Sequence, residues 1–210
     1  MSLPPEEPEP DTKLRVDDSR ASASVSPAPN EFTPEERKAL LQLAHEAIVS
    51  ALEKREISLT PPSPHLAEPR GAFTTIYVQG ELRGCVGYVF PVASLYRTVA
   101  ETARSAAFED TRFWPITPEE AANLEVSLSI LSPLKAIKPE EVEIGRHGLL
   151  IGQHGHRGLL LPQVPVEHGW DRVTFLEQTC RKAGLPLEAW QKGATLEAFT
   201  AEVFGDGDAK

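Results

Sequence analysis

Residues 72–91 (AFTTIYVQGELRGCVGYVFP) constrain the fold more than any other stretch of the sequence. Two runs rich in β-branched and aromatic residues flank a turn at Gly80, which is the pattern of a β-hairpin. The second run contains the segment LRGCVG at residues 82–87, with two glycines in four positions. Because glycine weakens the interior of a strand, this spacing predicts a β-bulge or a group that approaches the backbone closely.

The second run of the hairpin also contains the first candidate catalytic residue, Cys85. Side chains alternate between the faces of a strand, so Arg83, Cys85 and Gly87 are expected to share one face. A cation stabilises a thiolate, and Arg83 beside Cys85 would make that thiol a candidate catalytic nucleophile. Two other roles for Cys85 stay open, because cysteine is often buried as a small apolar side chain or contacts a ligand without reacting.

The hairpin could instead bind a small anion. Guanidinium groups and exposed backbone N–H groups both suit a carboxylate or a phosphate. The candidate ligand-binding residues are Arg83, Gly84, Gly87, Asp110 and Arg112. The alternative is that the two arginines pair with acidic side chains and only brace a loop.

Residues 108–114 (FEDTRFW) form a loop that combines acids, an arginine and three aromatic residues. Loops of this composition either plug a core or bind a partner. We therefore keep a non-catalytic alternative, in which the loop from Phe108 to Trp114, with Trp170, forms a protein-binding surface. The sequence has no nucleophile elbow, phosphate loop or dinucleotide fingerprint, so those enzyme classes are set aside.

A group of histidines raises the question of a metal site. Four of the six histidines lie close together in sequence: His147, His154, His156 and His168. The middle two belong to a glycine-rich turn, and no Cys-x-x-Cys or His-Glu-x-x-His spacing accompanies them. We therefore predict neither a metal site nor a cofactor.

Helix and strand signals fill residues 33–205. Four helix starts carry a capping residue: Thr33, Ser94, Thr117 and Asp171. Strand patterns follow the first hairpin in three places: residues 124–131, a second hairpin over 149–161, and residues 195–204. About four helices and six strands joined by hairpins predict an α+β domain with a mainly antiparallel sheet and flanking helices.

The two ends of the chain differ from this domain in composition. Residues 1–32 are rich in proline, acidic residues, serine and alanine, with few large apolar side chains. Such a segment cannot bury enough surface to order itself, so it predicts a disordered tail, with a flexible tether to a partner as the functional alternative. Residues 206–210 are predicted to be a second, short tail.

The balance of charges argues against nucleic-acid binding. The chain has 21 basic and 31 acidic residues and a formal net charge of −10, and such a surface repels phosphate backbones. No apolar run of about 18 residues and no signal-peptide pattern occurs, so we expect a soluble cytoplasmic protein without a membrane span. Cys85 and Cys180 are then expected to be reduced thiols.

Six short motifs follow one another in a characteristic order: LRGCVG (82–87), AAFEDTRF (106–113), LEVSLSIL (124–131), LPQV (161–164), GWD (169–171) and KAGL (182–185). Together they resemble the AMME chromosomal region protein family and its AMMECR domain. The resemblance covers residues 33–204 and implies an α+β fold with two lobes in one compact domain. It also implies a Memo-type protein and a radical S-adenosylmethionine enzyme as partners, and it brings no established reaction.

Two functions follow from these observations as expectations. The first is an enzyme, or a component of one, that binds a small anionic ligand at residues 83–87 and works with the two partner proteins. The second is a non-catalytic interaction module that uses the loop at residues 108–114. Loss of ligand binding in an Arg83 variant would favour the first, and loss of partner binding in a Trp114 variant would favour the second.

Overall fold

The computed structural model describes residues 13–15 and 31–209, with side chains from residue 31 to residue 208. The strands among these residues are β1 (Lys13–Arg15), β2 (Ala72–Val78), β3 (Glu81–Tyr88), β4 (Leu124–Leu131), β5 (Lys135–Ala136), β6 (Gly148–Gln153), β7 (His156–Leu160), β8 (Thr195–Phe199) and β9 (Ala201–Gly205). The α-helices are α1 (Pro34–Glu53), α2 (Leu95–Phe108), α3 (Pro118–Ala121), α4 (Gln163–Glu167) and α5 (Arg172–Lys182). The strands pair into two antiparallel sheets, and the α+β fold class is confirmed.

The larger lobe is a five-stranded sheet in the order β1-β3-β2-β4-β9, with α1 and α2 packed on one face. Thr33 begins α1 with the predicted capping box: its hydroxyl accepts the N–H of Glu36, and the Glu36 carboxylate accepts the N–H of Thr33. The apolar stripe of α1 is buried in this core: Leu40, Leu43, Ala44, Ala47 and Ile48. Thr74 of β2 bonds Thr102 of α2 through their hydroxyls at 2.8 Å, which identifies the helix-facing side of the sheet.

The hairpin of β2 and β3 has a two-residue turn. Gln79 and Gly80 both have positive φ angles, 54° and 81°. Two consecutive positive φ angles match the right-handed twist of the strands, and glycine adopts such an angle without strain. The predicted hairpin is therefore confirmed, with Val78 paired to Glu81 across the turn.

The smaller lobe is a four-stranded sheet in the order β5-β8-β6-β7, covered by α5. Asp171 begins α5, and its carboxylate accepts the N–H of Thr174 at 2.8 Å. Phe175 and Leu176 of this helix pack against Leu149 and Ile151 of β6. The predicted second hairpin and the predicted cap at Asp171 are both present.

A third apolar cluster joins the two lobes. The larger lobe contributes Phe73, Val89 and Leu131, and the smaller lobe contributes Leu150, Leu159 and Phe199. Phe73 precedes the helix-facing Thr74, so it lies on the opposite face of the larger sheet. The smaller lobe therefore packs against the face that the helices leave uncovered, and the two lobes form one compact unit.

The prediction of a single strand over residues 195–204 is wrong. Thr200 interrupts it, so that β8 belongs to the smaller sheet and β9 to the larger one. At the crossing, Thr200 N–H donates to the Ser132 hydroxyl and Ser132 N–H donates to the Thr200 carbonyl. The alternation of side chains along residues 195–204 continues while the backbone passes from one sheet to the other. The sequence pattern therefore does not reveal that two strands are present.

Residues just outside the predicted domain at 33–205 contact it at both ends. Phe32 is 3% exposed and stacks on His65 with ring centres 4.7 Å apart. At the other end, the Asp206 carboxylate accepts the N–H of Val126 at 2.7 Å. Of the predicted tail at residues 1–32, Lys13–Arg15 pairs as β1, and residues 1–12 and 16–30 lie outside the described residues. Among the helices of the described ranges, none has the length and apolarity to cross a membrane.

Candidate functional site

A β-bulge lies at the start of the candidate site. Along the hairpin, Ile76 is opposite Gly84 and Tyr77 is opposite Leu82, so Arg83 is an extra residue in β3. The bulge predicted from the two glycines is confirmed. It also breaks the strict alternation on which the shared face of Arg83 and Cys85 was predicted.

The Arg83 guanidinium is held by α3 and by the loop before it. Its Nε donates to Glu120 Oε1 at 2.8 Å and its Nη2 to Oε2 at 3.0 Å, while both Nη atoms donate to the carbonyl of Trp114 at 3.3 Å. Within the described residues these contacts account for all hydrogen bonds of this guanidinium. The bulged residue thus binds a carboxylate, and the predicted effect of Arg83 on the Cys85 thiol stays a prediction.

Glu120 is the residue that the sequence interpretation missed. It belongs to the capping box of α3, where its Oε2 also accepts the N–H of Thr117 at 2.9 Å. The hydrogen bond from Arg83, followed by that backbone bond, holds the pKa of the Glu120 carboxyl below its ordinary value. The capping box already explains why a glutamate stands at position 120. Nothing in the sequence therefore indicated that it also binds Arg83.

Cys85 lies on the face of the sheet away from the helices. Its side chain is 3% exposed, and its Sγ lies 3.2 Å from Oγ1 of Thr75 on the neighbouring strand. Ser127 of β4 is opposite Thr75 in register, so a thiol and two hydroxyl-bearing residues form one row across three strands. Cys85 and Cys180 are both free thiols, as predicted, and both are buried.

Asp110 and Arg112 bind the backbone of Cys85 at the outer edge of β3. The Cys85 N–H donates to Asp110 Oδ2 at 2.9 Å, and Arg112 Nη2 donates to the Cys85 carbonyl at 3.3 Å. The two side chains also bond each other, with Arg112 Nε at 3.0 Å from Oδ1 and Nη2 at 2.8 Å from Oδ2. Asp110 and Arg112 therefore satisfy the N–H and C=O of Cys85, as a neighbouring strand would.

The electrostatics of Asp110 follow from this arrangement. The residue is 4% exposed, and burial alone would raise the pKa of its carboxyl. Hydrogen bonds from the Arg112 side chain and from the Cys85 N–H outweigh burial, so the pKa lies below its ordinary value. Asp110 is therefore a buried carboxylate that folding stabilises in its charged form.

The two glycines of β3 make room for groups of the protein itself. A Cβ on Gly84 would collide with the carbonyl oxygen of Ala106 in α2, and a Cβ on Gly87 would collide with the ring of Phe73. The close approach predicted from their spacing is confirmed. Their role in binding a ligand, with that of Arg83, Asp110 and Arg112, stays a prediction.

The two arginines of the predicted anion site each face a carboxylate. Arg83 pairs with Glu120 and Arg112 pairs with Asp110. The alternative in which the arginines brace a loop matches these contacts. Since a carboxylate already occupies the fork of each guanidinium, a ligand anion would have to compete with it.

The aromatic residues of the loop at 108–114 differ in exposure. Phe108 packs against the core of the larger lobe. The Arg112 guanidinium lies over the ring of Phe113, with its central carbon 5.4 Å from the ring centre. Trp114, in contrast, is 87% exposed. Trp170 packs against the core of the smaller lobe and stacks on His168, with ring centres 4.7 Å apart.

The histidines considered for a metal site have separate environments. His147 Nδ1 accepts the N–H of Glu143, and desolvation lowers the pKa of its imidazole. His154 occupies the turn between β6 and β7 with a φ of 52°. In the part of the chain that the structure describes, no three histidine, cysteine or acidic side chains converge as metal ligands would.

Relatives with the same domain occur in other organisms. The chain is 42% identical over 185 residues to Protein MK0488 of Methanopyrus kandleri, an alignment that covers 82% of this chain and 89% of that protein. A protein of Aquifex aeolicus is 39% identical over 175 residues, which are 79% of this chain and 90% of the relative. The crystal structure of the uncharacterised protein PH0010 of Pyrococcus horikoshii is similar to this chain, with a TM-score of 0.67, 38% identity, and coverage of 83% of this chain and 93% of that one.

The family model AMMECR1 matches residues 41–204. This span begins within α1, ends in β9 and includes both sheets. It also contains every residue of strand β3 and of the loop at residues 108–114. On the motifs, the shared fold and this match over both lobes, the chain belongs to the AMMECR1 family.

Proposed function

We propose that this chain is a partner-binding protein and that Trp114 is the anchor of its binding surface. The observation that carries the proposal is a tryptophan that is 87% exposed although Arg83 binds its carbonyl and Asp110 ties the preceding part of the loop to β3. Tryptophan is enriched among the residues that contribute most to protein–protein binding, because it buries a large area with few rotatable bonds. A rigidly mounted and solvent-exposed indole suits such a contact.

The bracing of the loop reduces the entropy cost of binding. Arg83 donates two hydrogen bonds to the Trp114 carbonyl, and Asp110 with Arg112 fixes the loop to β3. A loop that is ordered before its partner arrives loses little conformational freedom in the complex. These contacts give the two ion pairs a functional purpose that does not require an anionic ligand.

The chemistry of the partner follows from charge and shape. The chain carries a formal charge of −10, which favours a basic partner surface, and the indole requires an apolar pocket in that surface. We propose the Memo-type protein and the radical S-adenosylmethionine enzyme, which the family resemblance implies, as the partners to test.

Trp114→Ala is expected to weaken binding to such a partner about 30-fold or more, which corresponds to about 2 kcal/mol. The free energy of unfolding should change by less than about 0.5 kcal/mol, because the indole is exposed. Isothermal titration with each purified partner measures the first effect, and urea unfolding measures the second. Val173→Ala, which alters another exposed apolar side chain on α5, is the matched control and should bind normally. Equal binding by Trp114→Ala and Val173→Ala would contradict the proposal.

A second candidate function is binding of a small anion at residues 83–87, in an enzyme or a component of one. The favouring observation is the row of polar groups in which the Cys85 thiol lies 3.2 Å from the Thr75 hydroxyl, with Ser127 opposite Thr75. In an enzyme of this kind Cys85 would be the nucleophile, and Cys85→Ser would remove turnover while keeping ligand binding.

Thermal unfolding with inorganic phosphate or succinate tests the second candidate. A ligand at a hundredfold excess over its Kd stabilises the chain by about 2.7 kcal/mol, which raises the Tm by about 5 °C or more. Arg83→Gln should abolish that rise. If neither anion raises the Tm of the unmodified chain, the second candidate fails while the proposal for Trp114 is unaffected.

A further inference from the structure

The outer edge of β3 already accepts a short strand. Strand β1 pairs with it antiparallel, with Lys13 opposite Tyr88, Leu14 opposite Gly87 and Arg15 opposite Val86. Since β2 occupies the other side of β3, β1 is the strand that completes the sheet at this end. An edge of this kind offers a row of backbone donors and acceptors to any extended chain.

The directions of the N–H and C=O groups of β3 show which of its residues can pair with a strand at the outer edge. The N–H and C=O of Cys85 point to the outer side, because Asp110 and Arg112 bind them there. Backbone groups alternate sides along a strand, so those of Gly87 also point outward. In an antiparallel pair, the residue opposite exchanges both of its hydrogen bonds. Leu14 is therefore the residue of β1 that forms the hydrogen-bonded pair with Gly87.

The Asp110–Arg112 pair also fixes the register of an incoming strand. It occupies the outward groups of Cys85, so a strand that runs antiparallel along the edge can pair as far as Val86 and must then turn away. The edge thus offers the outward backbone groups of Gly87, and pairing ends before Cys85, whose groups are bound by Asp110 and Arg112. In β1 the residue opposite Gly87 is apolar, Leu14, and its two neighbours, Lys13 and Arg15, are basic.

The strand that occupies this edge is short enough to be exchanged. β1 has three residues, and residues 16–30 connect it to Glu31, where the described chain resumes. A three-residue strand contributes few backbone hydrogen bonds, so a partner segment that pairs along the same edge can compete with it.

We propose that the outer edge of β3 at Gly87 is a docking site for an extended segment of a partner protein with a basic–apolar–basic sequence. Lys13–Arg15 is its competitor within the chain. The formal charge of −10 favours a basic segment, and the Lys-Leu-Arg sequence of β1 is an example of the type. The proposal goes beyond the Trp114 contact and does not depend on it.

The test uses the full chain with Leu14→Pro, because proline has no N–H to donate to the Gly87 carbonyl. The probe is a capped fluorescent peptide of residues 12–16, TKLRV. If β1 covers the edge about nine-tenths of the time, the Leu14→Pro chain should bind the peptide about tenfold more tightly than the unmodified chain. Val25→Pro, which adds a proline to the tail outside β1, should behave as the unmodified chain. A TKPRV peptide should bind neither.

Hydrogen exchange of the Gly87 amide locates the binding. This amide should exchange about tenfold faster in Leu14→Pro than in the unmodified chain, and slowly again with saturating TKLRV peptide. Trp114→Ala should leave these results unchanged. Equal peptide binding by both chains, no protection of Gly87 by the peptide, or loss of peptide binding in Trp114→Ala would overturn the proposal. A dimer whose dilution exposes the Gly87 amide would overturn it in favour of a second copy of the chain.

Discussion

Replacing Asp110 with alanine is expected to lower the free energy of unfolding by about 3 kcal/mol. The substitution leaves the Cys85 N–H without its acceptor and leaves the Arg112 guanidinium without the carboxylate that it contacts twice. The cost is large because Asp110 is 4% exposed, so water cannot easily replace its contacts. Urea unfolding followed by circular dichroism measures the change.

Asp171→Ala is the matched control for this prediction. Asp171 is an exposed cap that accepts the N–H of Thr174 at the start of α5, so its loss should cost about 1 kcal/mol. If the two variants lose the same stability, the buried pair of Asp110 and Arg112 contributes no more than an exposed cap. That outcome would contradict the bracing of the loop.

The effect of Asp110 should also depend on pH. Its folded-state pKa is lowered, so its contribution is present above the unfolded value of about 3.9 and is lost as the pH falls through the folded pKa. The unmodified chain should therefore lose stability more steeply than Asp110→Ala below about pH 4. Urea midpoints of both chains between about pH 2 and pH 6 measure this difference, and parallel curves would contradict it.

Gly84→Ala is expected to lower the free energy of unfolding by about 3 kcal/mol or more, or to prevent folding. The added Cβ would meet the carbonyl oxygen of Ala106, which belongs to the backbone of α2 and cannot move alone. Relief would require the helix to shift away from the sheet and open the core between them.

Gly207→Ala is the matched control for Gly84→Ala, because a Cβ at Gly207 would meet no atom within 4 Å. Its unfolding midpoint should stay within about 0.5 kcal/mol of the unmodified chain. Thermal and urea unfolding of the two variants, prepared together, provide the comparison. Similar midpoints for both would show that α2 does not lie against Gly84 in solution.

The features predicted correctly from the sequence depend on short-range chemistry. The capping boxes at Thr33 and Thr117 are formed by residues three positions apart, and the hairpin turn at Gly80 joins adjacent strands. Such signals need no knowledge of the rest of the fold.

The features that were missed depend on contacts between distant residues. The chain passes from one sheet to the other at Thr200, where Ser132 binds its backbone. Arg83 binds Glu120, which lies far from it in sequence. The position of the bulge was missed for a related reason: the glycines predicted a bulge, but its place at Arg83 depends on pairing with β2. The side-chain partners of Arg83 could therefore not be read from the sequence, and the binding role of residues 83–87 stays a prediction.

Native-state hydrogen exchange of the Cys85 and Arg112 amides tests most directly whether the loop at residues 108–114 is fixed before any partner binds. Both amides donate to the Asp110 carboxylate, at 2.9 Å and 3.2 Å. In the isolated chain they should be protected at least about 1,000-fold relative to an unstructured peptide, and both should lose that protection in Asp110→Ala. Exchange at peptide-like rates in the unmodified chain would show a loop that Asp110 and Arg112 do not hold.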